Sequence, residues 1–382
     1  MHRLWWQLPG PSRFVSQIAE DLRDGRNVVI CLPQHAPDGL RGAVRSALEG
    51  GEAWSWHTAR VDGAMWAEPA RALFARFVPD ASPSAILNAS TLVNEESFAG
   101  KIIWLEGIHP GISRAWKEFL MEYQHACRSR SVLDRTLFCV PLAGDLTIDP
   151  PTSDVCLSHR HLCGVVGSID VLLYTSYLLQ ERTLPCLEKR VVTAVIASLA
   201  LWDRDVCDRL VAEETKTILQ PASVLREIAR ERGWCVEGGR VPCHSWCSGA
   251  RDVVDGREKI HSAALAAVVD GRAIERRIWS AEVGVALPFI EERRQEILAD
   301  LAEVLTVPFT TRFGEVIDDV HDLEIGHIEA QVAAKSRLVH YRTRRLVQRL
   351  REMRNCLSHL APLSAELLLS DDIAEPLGSR RP

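Results

Sequence analysis

Near the end of the chain, Arg354 and Asn355 are followed by His359 in the pattern Arg354-Asn355-x-x-x-His359, three side chains of types that handle phosphate esters. A histidine whose ordinary pKa is about 6.5 takes up or releases a proton at neutral pH. An arginine's planar fork holds two phosphate oxygens at once. On a continuous helix, residues four apart share a face, whereas residues five apart point roughly 140° apart. Asn355 therefore aligns with His359, and Arg354 does not. The two meet only if the helix stops near Ser358, which Pro362 favours, or if a second copy supplies one of them across a two-fold axis. Upstream, Lys335, Arg337, Arg342, Arg344, Arg345, Arg349 and Arg351 form a run with few acids among them, a path for a phosphate backbone. The same residue types also serve as helix-end caps and as an ordinary solvated face, so the pattern leaves both readings open.

The stretch Leu350-Arg-Glu-Met-Arg354-Asn355-Cys-Leu-Ser-His359-Leu-Ala-Pro362-Leu resembles the signature of the HEPN superfamily, small helical domains. Upstream, Glu275 through Trp279 and Leu287 through Arg294 match a long first helix, and Asp322 through His327 an intervening helix start, so the resemblance covers roughly residues 273–369. It implies either metal-independent cleavage of RNA, with Arg354, Asn355 and His359 as the catalytic set at a homodimer interface, or a non-catalytic member that binds and assembles. Arg342, Arg344, Arg345, Arg349 and Arg351 are then the expected RNA contacts, with Glu282, Glu324 and His327 as secondary polar members. Among prokaryotic proteins such a pairing resembles immunity or toxin systems. Neither a cofactor nor a catalytic metal is expected.

Two further clusters bear on chemistry. Cys156, His159, His161 and Cys163 fall within eight residues, but their alternation at period two suits a strand better than a tetrahedron. Cys235, Cys243, His244 and Cys247 have the outline of a loop site for zinc, without the two well-separated ligand pairs that structural zinc prefers. Earlier, the strand-like Asn27–Leu32, the loop after it and a later apolar strand ending Ile102-Ile103-Trp104-Leu105-Glu106 resemble the layout of P-loop ATPases over residues 27–142. A phosphate loop needs Gly-x4-Gly-Lys-Ser/Thr, because backbone N–H groups, a lysine and a hydroxyl must converge on the triphosphate. Here the matching stretch runs from Leu32 through Pro33, Pro37, Asp38 and Gly39 to Arg41 and Gly42, with neither that lysine nor that hydroxyl. The expectation is a nucleotide-type fold that does not hydrolyse nucleotide, serving as a sensor or docking module for a protein partner.

The elements that must position these residues follow from periodicity. Helices are expected around Phe14–Arg23, Leu40–Leu48, Pro69–Phe77 and Ser113–Cys127, alternating with strands at Asn27–Leu32, Ser55–Val61, Lys101–Leu105 and Thr136–Pro141. Such alternation predicts a mostly parallel, doubly wound sheet. After Pro150-Pro151 come helical stretches at Val166–Glu181, Leu187–Trp202 and Ala222–Arg232, then a loop over Gly233–Asp255. A final helical block holds Ile274–Leu305, interrupted at Pro288, and a long helix Glu329–Ser358 with Leu346, Leu350, Met353 and Leu357 on its buried face. The expected organisation is an α/β domain over 1–150, a helical middle over 151–255 and a helical bundle over 256–382.

At 382 residues the chain is long enough for two or three cores, and a formal charge of −6 excludes a protein that coats nucleic acid over its whole surface. Eleven cysteines without a signal-peptide pattern read as reduced thiols, hence a cytoplasmic setting, and no apolar run reaches the roughly 20 residues that span a bilayer. The rival to the nuclease reading is an adaptor without chemistry, which exposed Trp5, Trp6, Trp54 and Trp56 would favour.

Overall fold

The computed structural model describes residues 2–49, 54–78, 87–234, 246–268 and 271–374. The chain divides into two compact units: residues 1–170, 202–204 and 242–261 in the first, and residues 171–201, 205–241 and 262–382 in the second.

The first unit is α/β. Five strands, β1 (Asn27–Leu32), β2 (Ser55–Arg60), β3 (Lys101–Glu106), β4 (Leu137–Ala143) and β5 (Leu157–His161), form one sheet in the order β2-β3-β4-β1-β5. All its pairings are parallel. The central β1 is almost wholly buried, which explains why it reads as a continuous apolar run. Val29 and Cys31 of β1, Ile103 of β3 and Phe138 and Val140 of β4 pack with Trp116, Phe119 and Tyr123 of helix Pro110–Cys127. Asn27 opens β1 and is buried, its amide donating to Cys156 O while its carbonyl accepts from Phe138 N, each at 2.9 Å. One side chain thus links β1 to β4 and to the approach of β5. Two short strands, β6 (Arg251–Val254) and β7 (Arg257–Ile260), form an antiparallel hairpin around Asp255 and Gly256, both with positive φ. That geometry is the one two-residue hairpin turns require. Residues 251–254, expected in a loop, are thus a strand.

The second unit is helical. Helix Cys186–Ala200 packs along the 30-residue helix Gly271–Asp300, so the middle segment shares a core with the C-terminal block instead of forming a third body. The long helix continues through Pro288, which removes one backbone donor while Ala286, Phe289 and Ile290 around it stay buried. The expected single helix Glu329–Ser358 is in fact two, Ile325–Ala334 and Tyr341–Ser358. One long-range bond and one local cap mark the break between them. The Lys335 ammonium turns away to Val304 O at 2.5 Å, and His340 caps the second helix by accepting from Arg342 N at 3.3 Å. Lys335 and Arg337 consequently lie in the break. The expected stripe of Leu346, Leu350, Met353 and Leu357 is buried. Among the described residues no helix is long and apolar enough to cross a membrane.

Candidate functional site

Helix Tyr341–Ser358, the motif helix, ends one residue before His359. Its end is a complete Schellman turn. Leu360 N donates to Leu357 O at 3.2 Å and Ala361 N to Cys356 O at 3.0 Å, with Leu360 at φ 60° where glycine is usual. Arg354 is half-buried beside the apolar stripe, and Asn355 and His359 are exposed. All three therefore stand within the last turn and its cap, accessible to solvent.

Neighbouring elements hold this end in place. From helix Gly271–Asp300, Trp279 Nε1–H donates to Leu357 O at 2.8 Å, and the Glu282 carboxylate accepts from Leu363 N at 2.8 Å. Glu324 lies at the start of helix Ile325–Ala334 and pairs with Arg354 at 2.7 Å, both partly exposed. Glu324 is itself fixed, since Arg294 donates to His321 O and Leu323 O at 2.8 and 2.9 Å, and His327 Nδ1 accepts from Glu324 N at 3.2 Å. The secondary polar residues named from sequence are thus brought to the motif: Glu324 directly, His327 through Glu324, and Glu282 through Leu363.

The electrostatic setting is mixed. A shallow cavity of about 760 Å³ carries Glu315, Asp318, Asp319, Asp322, Glu324 and His327 on its wall, so the surface next to Arg354 is acidic. Most of the expected RNA-contact arginines also have acidic partners. Arg345 pairs with Asp372 at 3.1 Å, Arg349 with Glu352 at 2.8 Å and Arg351 with Glu329. Arg342 donates to the Tyr341 hydroxyl at 3.3 Å, and Arg344 is exposed. The sequence hid this pairing because Glu329 and Asp372 arrive from other helices.

In the first unit, helix Leu40–Leu48 starts at Gly39 (φ 96°), without a side-chain cap. Arg41, in its first turn, forms a 2.6 Å ion pair with Glu106 at the end of β3. The loop between β1 and this helix is tied down by Gln34 N to Cys247 O and by Trp6 Nε1–H to Asp38 O, each at 2.8 Å. The two charged residues that the sequence singled out for a nucleotide site thus bind each other, a pairing that sequence reasoning missed.

Cys235, Cys243 and His244 lie outside the described residues, and Cys247 Sγ sits 3.1 Å from the Thr147 hydroxyl. His159 and His161 fall on β5, their rings 6.3 Å apart, and Cys163 is pushed up to about 12, first by burial and then by Asp252. Among the described residues no group of three or more His, Cys, Asp or Glu is placed to hold a metal ion. Trp5 and Trp6 are buried, and Trp54 and Trp56 are half-buried, so they form no exposed aromatic patch. No protein-family model matches the chain, and no curated protein matches it.

Proposed function

We propose that the chain is an RNA-cleaving or RNA-binding effector of HEPN type, in which the exposed end of the motif helix handles the phosphodiester and the α/β unit serves as sensor or scaffold. The single observation that carries this reading is the ending of the helix at Ser358. It leaves Arg354, Asn355 and His359 accessible together on one turn and its cap, braced from Trp279 and Glu282.

The chemistry follows from the residues. A ribose 2′-hydroxyl attacks the adjacent phosphorus as a histidine accepts its proton. The bond to the 5′-oxygen breaks as a second proton donor protonates that oxygen, and arginine holds the charge on the phosphoryl oxygens. One chain offers one histidine within the motif itself, so a two-fold pair, with one His359 in each role, completes the set. The products are a 2′,3′-cyclic phosphate and a 5′-hydroxyl. In this reading an incoming RNA displaces Glu324 from Arg354 and runs along Arg342, Arg344 and Arg345, the stretch of the motif helix farthest from the acidic cavity. A defence or toxin role in a prokaryote belongs to the same proposal and rests on the sequence resemblance alone.

The test is incubation of a mixed RNA pool with the protein in EDTA, with product ends analysed and mass in solution measured. Cyclic-phosphate ends from a dimer, absent with His359→Ala, support the proposal. Uncut RNA with both proteins favours the adaptor reading. That reading has its own observation in exposed Ile169, Leu172, Leu173 and Tyr177, a stripe at helical spacing on Ser168–Leu178.

A further inference from the structure

Trp279 and Glu282 lie three residues apart, on one face of helix Gly271–Asp300, and their bonds to Leu357 O and Leu363 N bracket the turn that presents His359. The two anchors differ in kind. Trp279 makes a neutral bond that no proton affects. Glu282 is a carboxyl with no exposed surface, and its second oxygen, Oε1, has no hydrogen-bond partner. A buried carboxylate with a single N–H donor is poorly compensated, whereas the neutral acid leaves no buried charge.

Besides the 360–363 turn, the elements packed most extensively against this helix are Cys186–Ala200, Ser262–Ala267, the 320–322 turn and the motif helix. Several of their charged groups are engaged elsewhere. Glu188 takes the Thr215 hydroxyl, Glu352 pairs with Arg349, and Arg354 pairs with Glu324. Lys189 donates to Gln180 O, Arg345 pairs with Asp372, Arg351 with Glu329 and Arg342 with the Tyr341 hydroxyl; Cys186, Arg190, His321, Asp322, Arg344 and Cys356 are the other titratable groups on these elements, and Ser262–Ala267 carries none. No neighbouring charge is among the causes acting on Glu282. Burial pushes its carboxyl up to about 7, with the Leu363 N–H opposing.

We infer that Glu282 is a positioning residue that acts as a proton-operated clamp on the turn holding His359. As the neutral acid it stays sealed against Leu363 and the turn remains closed. When it gives its proton to solvent, water must reach Oε1, and the 360–363 turn opens to admit it. The Trp279 bond keeps the motif helix itself anchored through this change. The effect on RNA cutting rests on the reading proposed above, but the response of the turn does not.

Hydrogen exchange of the full chain at pH 6 and pH 8, corrected for the intrinsic rate, tests this. With a carboxyl that titrates near 7, protection over residues 360–363 falls about tenfold between the two pH values. Glu282→Gln keeps an acceptor for Leu363 but cannot ionise, and its protection is equal at both. His359→Ala, which removes the exposed titratable neighbour, retains the wild-type fall and gives a second comparison should Glu282→Gln fail to fold. Protection that ignores pH in the wild type, or a fall that disappears in His359→Ala, overturns the clamp. RNA cleavage measured on the same samples separates the two claims. A responsive turn in a protein that never cuts overturns the RNA reading and leaves the clamp, whereas an unresponsive turn in a protein that cuts does the reverse.

Discussion

The end of β3 in the first unit and the end of the motif helix in the second both present an arginine, an acid and a helix terminus, yet they handle them differently. At the first place Arg41 and Glu106 satisfy each other, and the loop beside them is tied by Gln34 and Trp6. No histidine or exposed amide stands in the first turn of that helix. At the second place Arg354 has an acidic partner too, but Asn355 and His359 remain exposed next to it, and half-buried Trp279 and buried Glu282 brace them from behind. The difference separates a charge pair beside a tied-down loop from one that stands beside an exposed imidazole. It also separates fold from site, since a buried sheet core such as the one behind the first place does not by itself make a site.

The sharpest way to probe that separation is to damage the core. Phe138→Ala, in β4 between Phe98, Phe119 and Tyr123, should cost about 3–5 kcal/mol by denaturant unfolding, because a buried ring is lost and the cavity only partly collapses. A loss below about 1 kcal/mol would mean that the aromatic cluster does not hold this sheet. Next in size is Glu282. Its folded-state pKa is raised from 4.5 to about 7, so the folded chain holds a proton that the unfolded chain releases between those values. Its contribution is therefore greatest at low pH and falls as pH rises from about 4.5 to 7, by about 3 kcal/mol. Relative to wild type, Glu282→Gln should gain stability over that window, and melts across pH that run parallel would contradict the assignment.

Smaller effects sharpen the contrast between the two helix ends. Leu360→Gly relieves a left-handed backbone at the Schellman position and should raise stability by about 1 kcal/mol. Unchanged or lower stability would argue against that turn. Smallest is the Arg41–Glu106 pair, with side chains 49% and 37% exposed. A double-mutant cycle should return no more than about 1 kcal/mol, diminishing with salt.

Local pattern made much of the fold legible. The reading of Asn27–Leu32, Leu40–Leu48 and Pro69–Phe77 coincides with the observed elements, because an apolar run closed by Pro33, a helix after Gly39 and a proline at a helix start are signals carried by adjacent residues. The Asp255-Gly256 pair is a hairpin signal carried by adjacent residues as well. The break between Ala334 and Tyr341 was not legible, since Lys335 is drawn off by Val304, some thirty positions away along the chain. The same holds for the site. The sequence named Arg354, Asn355 and His359, but the pairing of Arg41 with Glu106 depends on β4 lying between β1 and β3, and the brace from Glu282 depends on the packing of two helices. Neither leaves a mark at fixed spacing.

The most direct measurement is RNA cleavage in EDTA by four proteins in one assay: wild type, the Arg41→Ala/Glu106→Ala double variant, Arg354→Ala and His359→Ala. The account predicts that the double variant cuts like wild type, while Arg354→Ala and His359→Ala lose about 10²-fold or more of the rate. Cleavage that survives in His359→Ala, or that disappears in the Arg41→Ala/Glu106→Ala variant with its fold intact, would contradict it.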